Sequence, residues 1–226
     1  AITADAAPTA KGKPAAVVVA ASNTSAAPPL RAPAGRQIRV AFAISQSSNV
    51  IDMAGPWEVF QDTVGPRRDD AFELSTVAAS RSPVPLTGGL QVTPDYTFAD
   101  APQPDVVVVP AMRASPELHA WLRRAAPRVD VLMSVCTGAF QLAAAGLLDG
   151  LPATTHHDFW DSFASRHPQV LLRRGDRFVE SSPRLATAGG LTSGIDLALR
   201  VVERYFGRDA AKRTATYMEY RSPYLE

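Results

Sequence analysis

The sequence has little of several features that would define a class of function. One cysteine in 226 residues excludes an internal disulfide. The 23 basic and 22 acidic residues leave a net charge of +1, which gives no electrostatic footprint for nucleic acid or an anionic membrane. No apolar run approaches the ~18–20 residues that a membrane-spanning helix needs. The chain is nevertheless 46% hydrophobic, which predicts one domain with a substantial core.

The first 35 residues differ in composition from the rest of the chain. They are rich in Ala, Pro, Ser and Thr and hold one short apolar run, at 15–21. Such a segment buries too little apolar surface to offset the entropy lost on ordering, so we expect a flexible leader at 1–35 and a globular domain at 36–226. A first residue that is alanine fits either a signal peptide removed on export or a trimmed chain, and the composition favours export.

Beyond residue 36 the chain alternates between strand and helix patterns. Buried runs predict strands at 38–44, 72–78, 106–109 and 129–135, with shorter strands at 170–172, 177–180 and 185–187. Helical patterns lie between them, including 195–206 and 209–220. This alternation predicts a mostly parallel sheet with helices on both faces. Ligands of such sheets bind outside the carboxyl ends of the strands.

Cys136 stands where the predicted strand 129–135 changes to a helical pattern that ends near Gly150. A residue on such a turn faces the first free N–H groups of the helix, which favour a thiolate and can lower a cysteine pKa to about 3.5–7.5. The N–H groups of Thr137 and Gly138 could hold negative charge on a substrate. A lone cysteine is otherwise a small buried hydrophobe, but this position favours a reactive thiol.

Upstream, Asp52 occupies a predicted N-cap, and its helix is expected to close at Gly65–Pro66. A carboxyl group there could also exchange a proton with the thiol, although the residues alone favour the cap. The four histidines, His119, His156, His157 and His167, have no suitably spaced cysteine or carboxylate partners, so we expect no metal.

Several ordered motifs give the chain a resemblance to a known family. The run S-V-C-T-G-A-F-Q-L-A-A-A-G-L-L-D-G with A-T-T-H after it, D-M-A-G-P-W-E-V-F upstream and A-G-G-L-T-S-G-I-D-L-A-L downstream resemble the ThiJ/PfpI superfamily over residues 36–221. The C-T-G and D-x-x-G-P-x-E-V-F parts look most like isonitrile hydratase and the amidase-like domains of transcription regulators. The resemblance implies the class I glutamine-amidotransferase-like fold, a flavodoxin-like or Rossmann-like three-layer α/β sandwich.

The resemblance also assigns roles to residues. It implies that Asp52 is a catalytic acid/base, that Thr137 is functional, and that His156 is a hydrogen-bonded wall of the pocket, with His157 more exposed. Glu58 is a second acidic candidate, since many relatives carry a glutamate near the thiol, although a solvated or pairing role is favoured.

The sequence also departs from the family pattern. Where the family usually has Gly-Gly after the 106–109 strand, this chain has Pro110, Ala111 and Met112. Ala111 or Met112 could still offer an N–H to the substrate, on a pocket floor of different shape.

The activity implied by the resemblance is the hydration of an isonitrile to an N-substituted formamide, with Cys136 as nucleophile, Asp52 as proton donor and no cofactor. The alternatives are a non-enzymatic domain that senses small molecules or redox state, and another cysteine hydrolase. Family members are commonly dimers, which implies a homodimer acting on a small molecule. Too few residues follow the domain for the helix-turn-helix module of the regulators, so we expect no contact with nucleic acid.

Overall fold

The structure is a computed structural model that describes residues 26–65 and 71–226. Its strands are β1 (Ile38–Ala43), β2 (Phe72–Ala78), β3 (Val84–Pro85), β4 (Gln91–Val92), β5 (Tyr96–Thr97), β6 (Val106–Val109), β7 (Val131–Ser134), β8 (Pro152–Ala153), β9 (Leu171–Leu172), β10 (Phe178–Glu180) and β11 (Leu185–Ala188). Its α-helices are α1 (Val50–Gln61), α2 (Pro116–Ala125), α3 (Gly138–Ala144), α4 (Trp160–Arg166), α5 (Ser193–Phe206) and α6 (Arg208–Tyr217). Short 3-10 helices cover Thr87–Gly89 and His157–Phe159.

Seven of these strands form the central sheet, in the order β10-β11-β7-β6-β1-β2-β5. All neighbours in it are parallel except the edge pair β10 and β11. The four valines of β6 are fully buried because this central strand is covered on both faces. The predicted mostly parallel sheet is therefore confirmed.

The side chains of β1 alternate between two hydrophobic clusters. Val40 and Phe42 join the cluster covered by α1, α5 and α6, whereas Ala41 and Ala43 join the one covered by α2, α3 and α4. This arrangement confirms the expected three-layer sandwich. Within the described ranges, no helix has the length and apolar character needed to cross a membrane.

Both boundaries of helix α1 differ from the sequence prediction. Helix α1 begins at Val50, and its N-cap is Asn49, whose side chain accepts the N–H of Ile51 at 3.1 Å. The N-cap assigned to Asp52 was therefore wrong. Helix α1 ends at Gln61, earlier than the stop predicted at Gly65–Pro66. Pro66 itself lies outside the described residues.

Helix α3 is also shorter than predicted. It ends at Ala144, and the chain turns at Gly146, whose φ is 74°, before it reaches Gly150.

The described end of the predicted leader, residues 26–35, is attached to the domain. The N–H of Ala27 donates to Glu180 at 3.0 Å, and the N–H of Leu30 donates to the main-chain oxygen of Arg204 at 2.7 Å. Ala27 is buried although the composition predicted a flexible segment. A few well-placed main-chain hydrogen bonds thus fix a stretch that has few large side chains.

Candidate active site

Cys136 lies between the end of β7 and the start of α3, in a left-handed conformation with φ 58°. This conformation costs a non-glycine residue on the order of 1–2 kcal/mol, so the surrounding structure has to impose it. Both of its main-chain groups are held: the N–H donates to Gly189 at 2.8 Å, and the carbonyl accepts the Thr155 hydroxyl at 2.9 Å. The result is a strained turn in which Cys136 is buried, with 6% of the residue exposed.

Gly138 follows two residues later and is needed for close packing. A Cβ there would lie 2.1 Å from the main-chain oxygen of Val109 and 2.9 Å from that of Pro110, so only glycine lets α3 approach β6 this closely. The N–H of Gly138 donates to Val135 at 2.9 Å. The expectation that this N–H stabilises substrate charge was therefore wrong.

The N–H groups that face the Cys136 sulfur come from two different loops. They belong to Thr137 and Leu191, and together with the Thr137 hydroxyl they act to lower the pKa of the thiol. Leu191 lies in the turn between β11 and α5 and is left-handed, with φ 53°. Sequence reasoning identified Thr137 and missed Leu191, because a backbone donor leaves no mark on residue type.

Asp52 is the carboxyl group that interacts with Cys136. It is the third residue of α1 and is fully buried. Its Oδ2 accepts the N–H of Ala111 at 3.0 Å, while Oδ1 has no hydrogen-bond partner among the described residues. The carbonyl of Ala111 in turn accepts the N–H of Asn49 at 2.8 Å. Ala111 therefore orients the carboxyl group. The sequence had suggested that the Ala111 N–H is available to substrate, but this N–H is already bonded to Asp52.

The pKa values of the two side chains depend on each other. Burial raises the pKa of Asp52 to about 6, opposed by the Ala111 N–H and by interaction with Cys136. Burial, and then the charge of Asp52, raise the pKa of Cys136 to about 11, opposed by the N–H groups that face the sulfur. The predicted low thiol pKa was wrong, because desolvation outweighs those donors and α3 is only seven residues long. At neutral pH the resting site holds a protonated thiol beside a carboxyl group.

A buried amide supports the loop that carries Met112. The Nε2 of Gln141, on α3, donates to the main-chain oxygen of Met112 at 3.2 Å, and its Oε1 lies 2.9 Å from Nε2 of His119. This network holds Met112 just beyond the carboxyl end of β6. The Met112 side chain packs on the α2 and α3 face of the sheet.

Glu58 lies apart from the site. It is exposed, and its carboxylate accepts a hydrogen bond from the side chain of Gln61 at 3.4 Å. Six positions separate it from Asp52 on α1, which turns it about 120° away around the helix. The solvated role favoured from the sequence agrees with this position.

His156 lies beside the loop that carries Leu191. A Cβ on Gly190 would be 2.2 Å from its ring, so the ring packs directly on the glycine backbone. The Nδ1 of His156 accepts the N–H of Asp158 at 3.2 Å. His156 is partly buried and hydrogen-bonded, and the side chain of His157 is 68% exposed.

His156, His157 and Asp158 bring three possible metal-ligand atoms within 4.8 Å of one another. The two imidazole rings are stacked, however, with centroids 4.4 Å apart and planes 25° apart. The lone pairs of a ring lie in its plane, so those of two stacked rings do not converge on one ion. The Nδ1 of His156 is also already an acceptor. This arrangement does not fit a metal ion.

Comparison with known sequences places these features in a family. Residues 38–204 match the DJ-1/PfpI family. Isonitrile hydratase from Pseudomonas putida is 30% identical over 189 residues, which cover 81% of this chain and 78% of that protein. The HTH-type transcriptional regulator CdhR from Pseudomonas aeruginosa is 31% identical over 147 residues, 63% of this chain, but the match spans only 43% of the regulator.

Solved structures agree with this match. A ThiJ/PfpI family protein from Pseudomonas syringae has a TM-score of 0.72 and 26% identity, over 83% of this chain and 78% of that one. An AraC family transcriptional regulator from Pseudomonas putida shares the fold, with a TM-score of 0.71 and 22% identity over 80% of this chain and 99% of that one. The strained cysteine turn, the parallel sheet and the sequence match over most of the domain show that the chain belongs to the DJ-1/PfpI family.

Proposed function

We propose that this protein adds water to an isonitrile and releases an N-substituted formamide, with Cys136 as nucleophile and Asp52 as proton carrier. The observation that supports the proposal is the buried Asp52 carboxyl group, which interacts with the protonated Cys136 thiol and whose Oδ1 has no hydrogen-bond partner in the described part of the chain. An isonitrile is neutral, and its terminal carbon has to gain both a sulfur and a proton. A coupled acid and thiol supply both.

In the first step the Cys136 sulfur bonds to the terminal carbon of the isonitrile. The thiol proton moves to Asp52 and from there to the same carbon, so the product is a neutral thioimidate, R–N=CH–S–Cys. While the proton is on Asp52, the sulfur carries negative charge and faces the N–H groups of Thr137 and Leu191. These donors are fixed before the reaction, so they stabilise the charge without reorganisation.

In the second step water adds to the thioimidate carbon. Asp52 takes a proton from the water and delivers it to the nitrogen, which gives R–NH–CH(OH)–S–Cys. The C–S bond then breaks, the hydroxyl proton returns to the sulfur through Asp52, and the formamide R–NH–CHO leaves. The net reaction converts the isonitrile and one water molecule into the formamide. A pKa of about 6 lets Asp52 act as both acid and base near neutral pH.

The second candidate is a domain that binds a small molecule without turning it over. The matches to transcription regulators support it, because those proteins share this domain over part of their length. Redox sensing has less support: cysteines that sense oxidants are exposed and have a low pKa, whereas Cys136 is buried and its pKa is raised to about 11.

Formamide release from a panel of alkyl and aryl isonitriles tests the proposal. We expect turnover by the wild type and a rate about 10²–10⁴-fold lower for Asp52→Asn, the range expected on losing general acid–base catalysis. Cys136→Ser should lose turnover as well. Glu58→Gln is the matched control, since it removes an exposed carboxylate from the same helix and should leave the rate unchanged.

Two results would contradict the proposal. No turnover of any isonitrile, together with saturable binding that protects Cys136 from alkylation, would favour the binding domain. An active Asp52→Asn variant would contradict the assigned proton carrier.

A further inference from the structure

The loop that brings Leu191 to the sulfur, residues 189–192, is held on both sides by one arginine. The main-chain oxygen of Arg177 accepts the N–H of Gly189 at 2.8 Å. The Arg177 side chain donates through Nε to Oδ2 of Asp196, in the first turn of α5, at 2.5 Å. The loop is therefore fixed where it leaves β11 and again where it enters α5.

Asp196 is fully buried, and both of its carboxylate oxygens are paired. Oδ2 accepts from Arg177, while Oδ1 accepts from the hydroxyls of Ser222 at 2.5 Å and Tyr220 at 3.3 Å. Asp52 differs in this respect, because its Oδ1 has no hydrogen-bond partner within residues 26–65 and 71–226. A carboxylate with all its partners is rigid and ordered, which suits a positioning role and not proton transfer.

The loop needs such support because Leu191 is strained. Its φ of 53° costs energy for a residue with a branched side chain, and a return to a negative φ would turn its N–H away from the sulfur. The same loop accepts the Cys136 N–H at Gly189, so a displaced loop would also release the strained turn of the nucleophile.

We propose that Arg177 and Asp196 are positioning residues that hold the Leu191 N–H against the Cys136 sulfur. Neither side chain hydrogen-bonds the sulfur within the described residues. They act through the loop 189–192, where Arg177 bonds the Gly189 N–H and the Thr192 hydroxyl. The inference rests on the proposed function only in requiring that Cys136 reacts as a thiolate.

Alkylation of Cys136 by iodoacetamide, followed from pH 7 to 10, tests this role without any isonitrile. Asp196→Asn keeps the size of the side chain but removes the charge that Arg177 meets. We expect its alkylation rate to be about tenfold lower at each pH, the effect of losing one hydrogen bond to a charged sulfur. When an isonitrile that the wild type hydrates is the substrate, the kcat of Asp196→Asn should fall by a similar factor while its KM changes little. The reason is that the Leu191 N–H acts on charge that develops during the reaction.

Glu180→Gln is the matched control. Glu180 pairs with Arg200 at 3.1 Å, and both side chains are largely buried, but this pair lies one turn further along α5 than Asp196. It should destabilise the protein without slowing alkylation. Ser222→Ala is a milder second variant, which loses one partner of Asp196 and keeps the ion pair, and we expect it to slow alkylation about two- to threefold.

The proposal is overturned if Asp196→Asn and Ser222→Ala react at the wild-type rate, or if Glu180→Gln slows alkylation as much as Asp196→Asn does. If Asp196→Asn does not fold, the alkylation rates of Ser222→Ala and Glu180→Gln decide. The proposal is then overturned if Ser222→Ala reacts at the wild-type rate or if Glu180→Gln is slowed as much as Ser222→Ala. If Asp196→Asn is alkylated more slowly than the wild type, but the wild type hydrates no isonitrile, the positioning role is upheld and the proposed function is rejected.

Discussion

Replacing Asp52 by asparagine should make the protein more stable at neutral pH while it slows the proposed hydration about 10²–10⁴-fold. The new side chain would still accept the Ala111 N–H through its amide oxygen, so the one hydrogen bond that the carboxyl group accepts from the main chain is kept. What is lost is a buried charge whose second oxygen has no partner among the described residues. Buried charge without full pairing is costly, and active sites accept this cost for function.

The size of the effect follows from the pKa. In the folded state the pKa of Asp52 is about 6, against an ordinary value of 3.8. Between these two pH values the folded state keeps a proton that the unfolded state releases, so the free energy of unfolding falls as pH rises through this window. At about 1.36 kcal/mol per pH unit, the loss reaches about 3 kcal/mol above pH 6 and then stays constant. Cys136 contributes little below pH 8, since its thiol is protonated in both states.

Urea denaturation at a series of pH values from 4 to 8 measures this. The stability difference between Asp52→Asn and the wild type should be small at pH 4 and rise to about 3 kcal/mol by pH 7. Asp196→Asn is the control: it breaks a fully paired buried carboxylate and should destabilise the protein between pH 5 and 8. A difference that does not change with pH, or an Asp52→Asn variant less stable than wild type at pH 7, would refute the reasoning.

Three further outcomes follow from the site. Cys136 should react with iodoacetamide more slowly at pH 7 than a free cysteine does, and its rate should rise as the pH approaches about 11. Asp52→Asn should speed the reaction at pH 7, because it removes the nearby charge. A wild-type rate above that of free cysteine would contradict this prediction. Gly138→Ala should lower the free energy of unfolding, measured with heat or urea, by more than about 3 kcal/mol, because the new methyl group meets a rigid main-chain oxygen. Gly88→Ala is the control: its methyl group meets open space, so the free energy of unfolding should fall by only about 1 kcal/mol, the cost of its left-handed φ. Thr137→Val should slow alkylation and turnover about three- to tenfold by removing a hydroxyl that favours the thiolate, and Thr137→Ser should restore both rates.

The fold was predictable because its signals are apolar runs of the right length. The all-valine strand β6 and the strand β2 lie where the sequence predicted them. A parallel sheet covered on both faces produces such runs directly, with no need to know which strand pairs with which. Helix ends were predicted less well, since Asn49 and Asp52 are both good caps and only tertiary contacts decide between them.

The site was predictable only where it depends on side chains. The sequence predicted that Cys136 and Asp52 lie together at the carboxyl edge of the sheet, and the two side chains do interact there, while their catalytic roles stay a prediction. The donors were not predictable: Gly138 donates its N–H to Val135, and Leu191 supplies one from a conformation in which glycine would be expected. The direction of the thiol pKa was also missed, because it is decided by burial and by a neighbouring charge, which sequence position does not reveal.

The docked segment at residues 26–31 has a consequence for whatever precedes it. The Arg200 side chain donates to the Ala27 carbonyl and the Arg204 side chain to the Pro28 carbonyl, so two guanidinium groups of one helix hold the chain along the helix surface. A pull on the chain at residue 26 would reach both α5, through the Ala27 carbonyl, and β10, through the Ala27 N–H. Helix α5 begins at the loop that faces the Cys136 sulfur. The chain therefore enters the described domain at a fixed point, and α5 links that point to the loop beside Cys136.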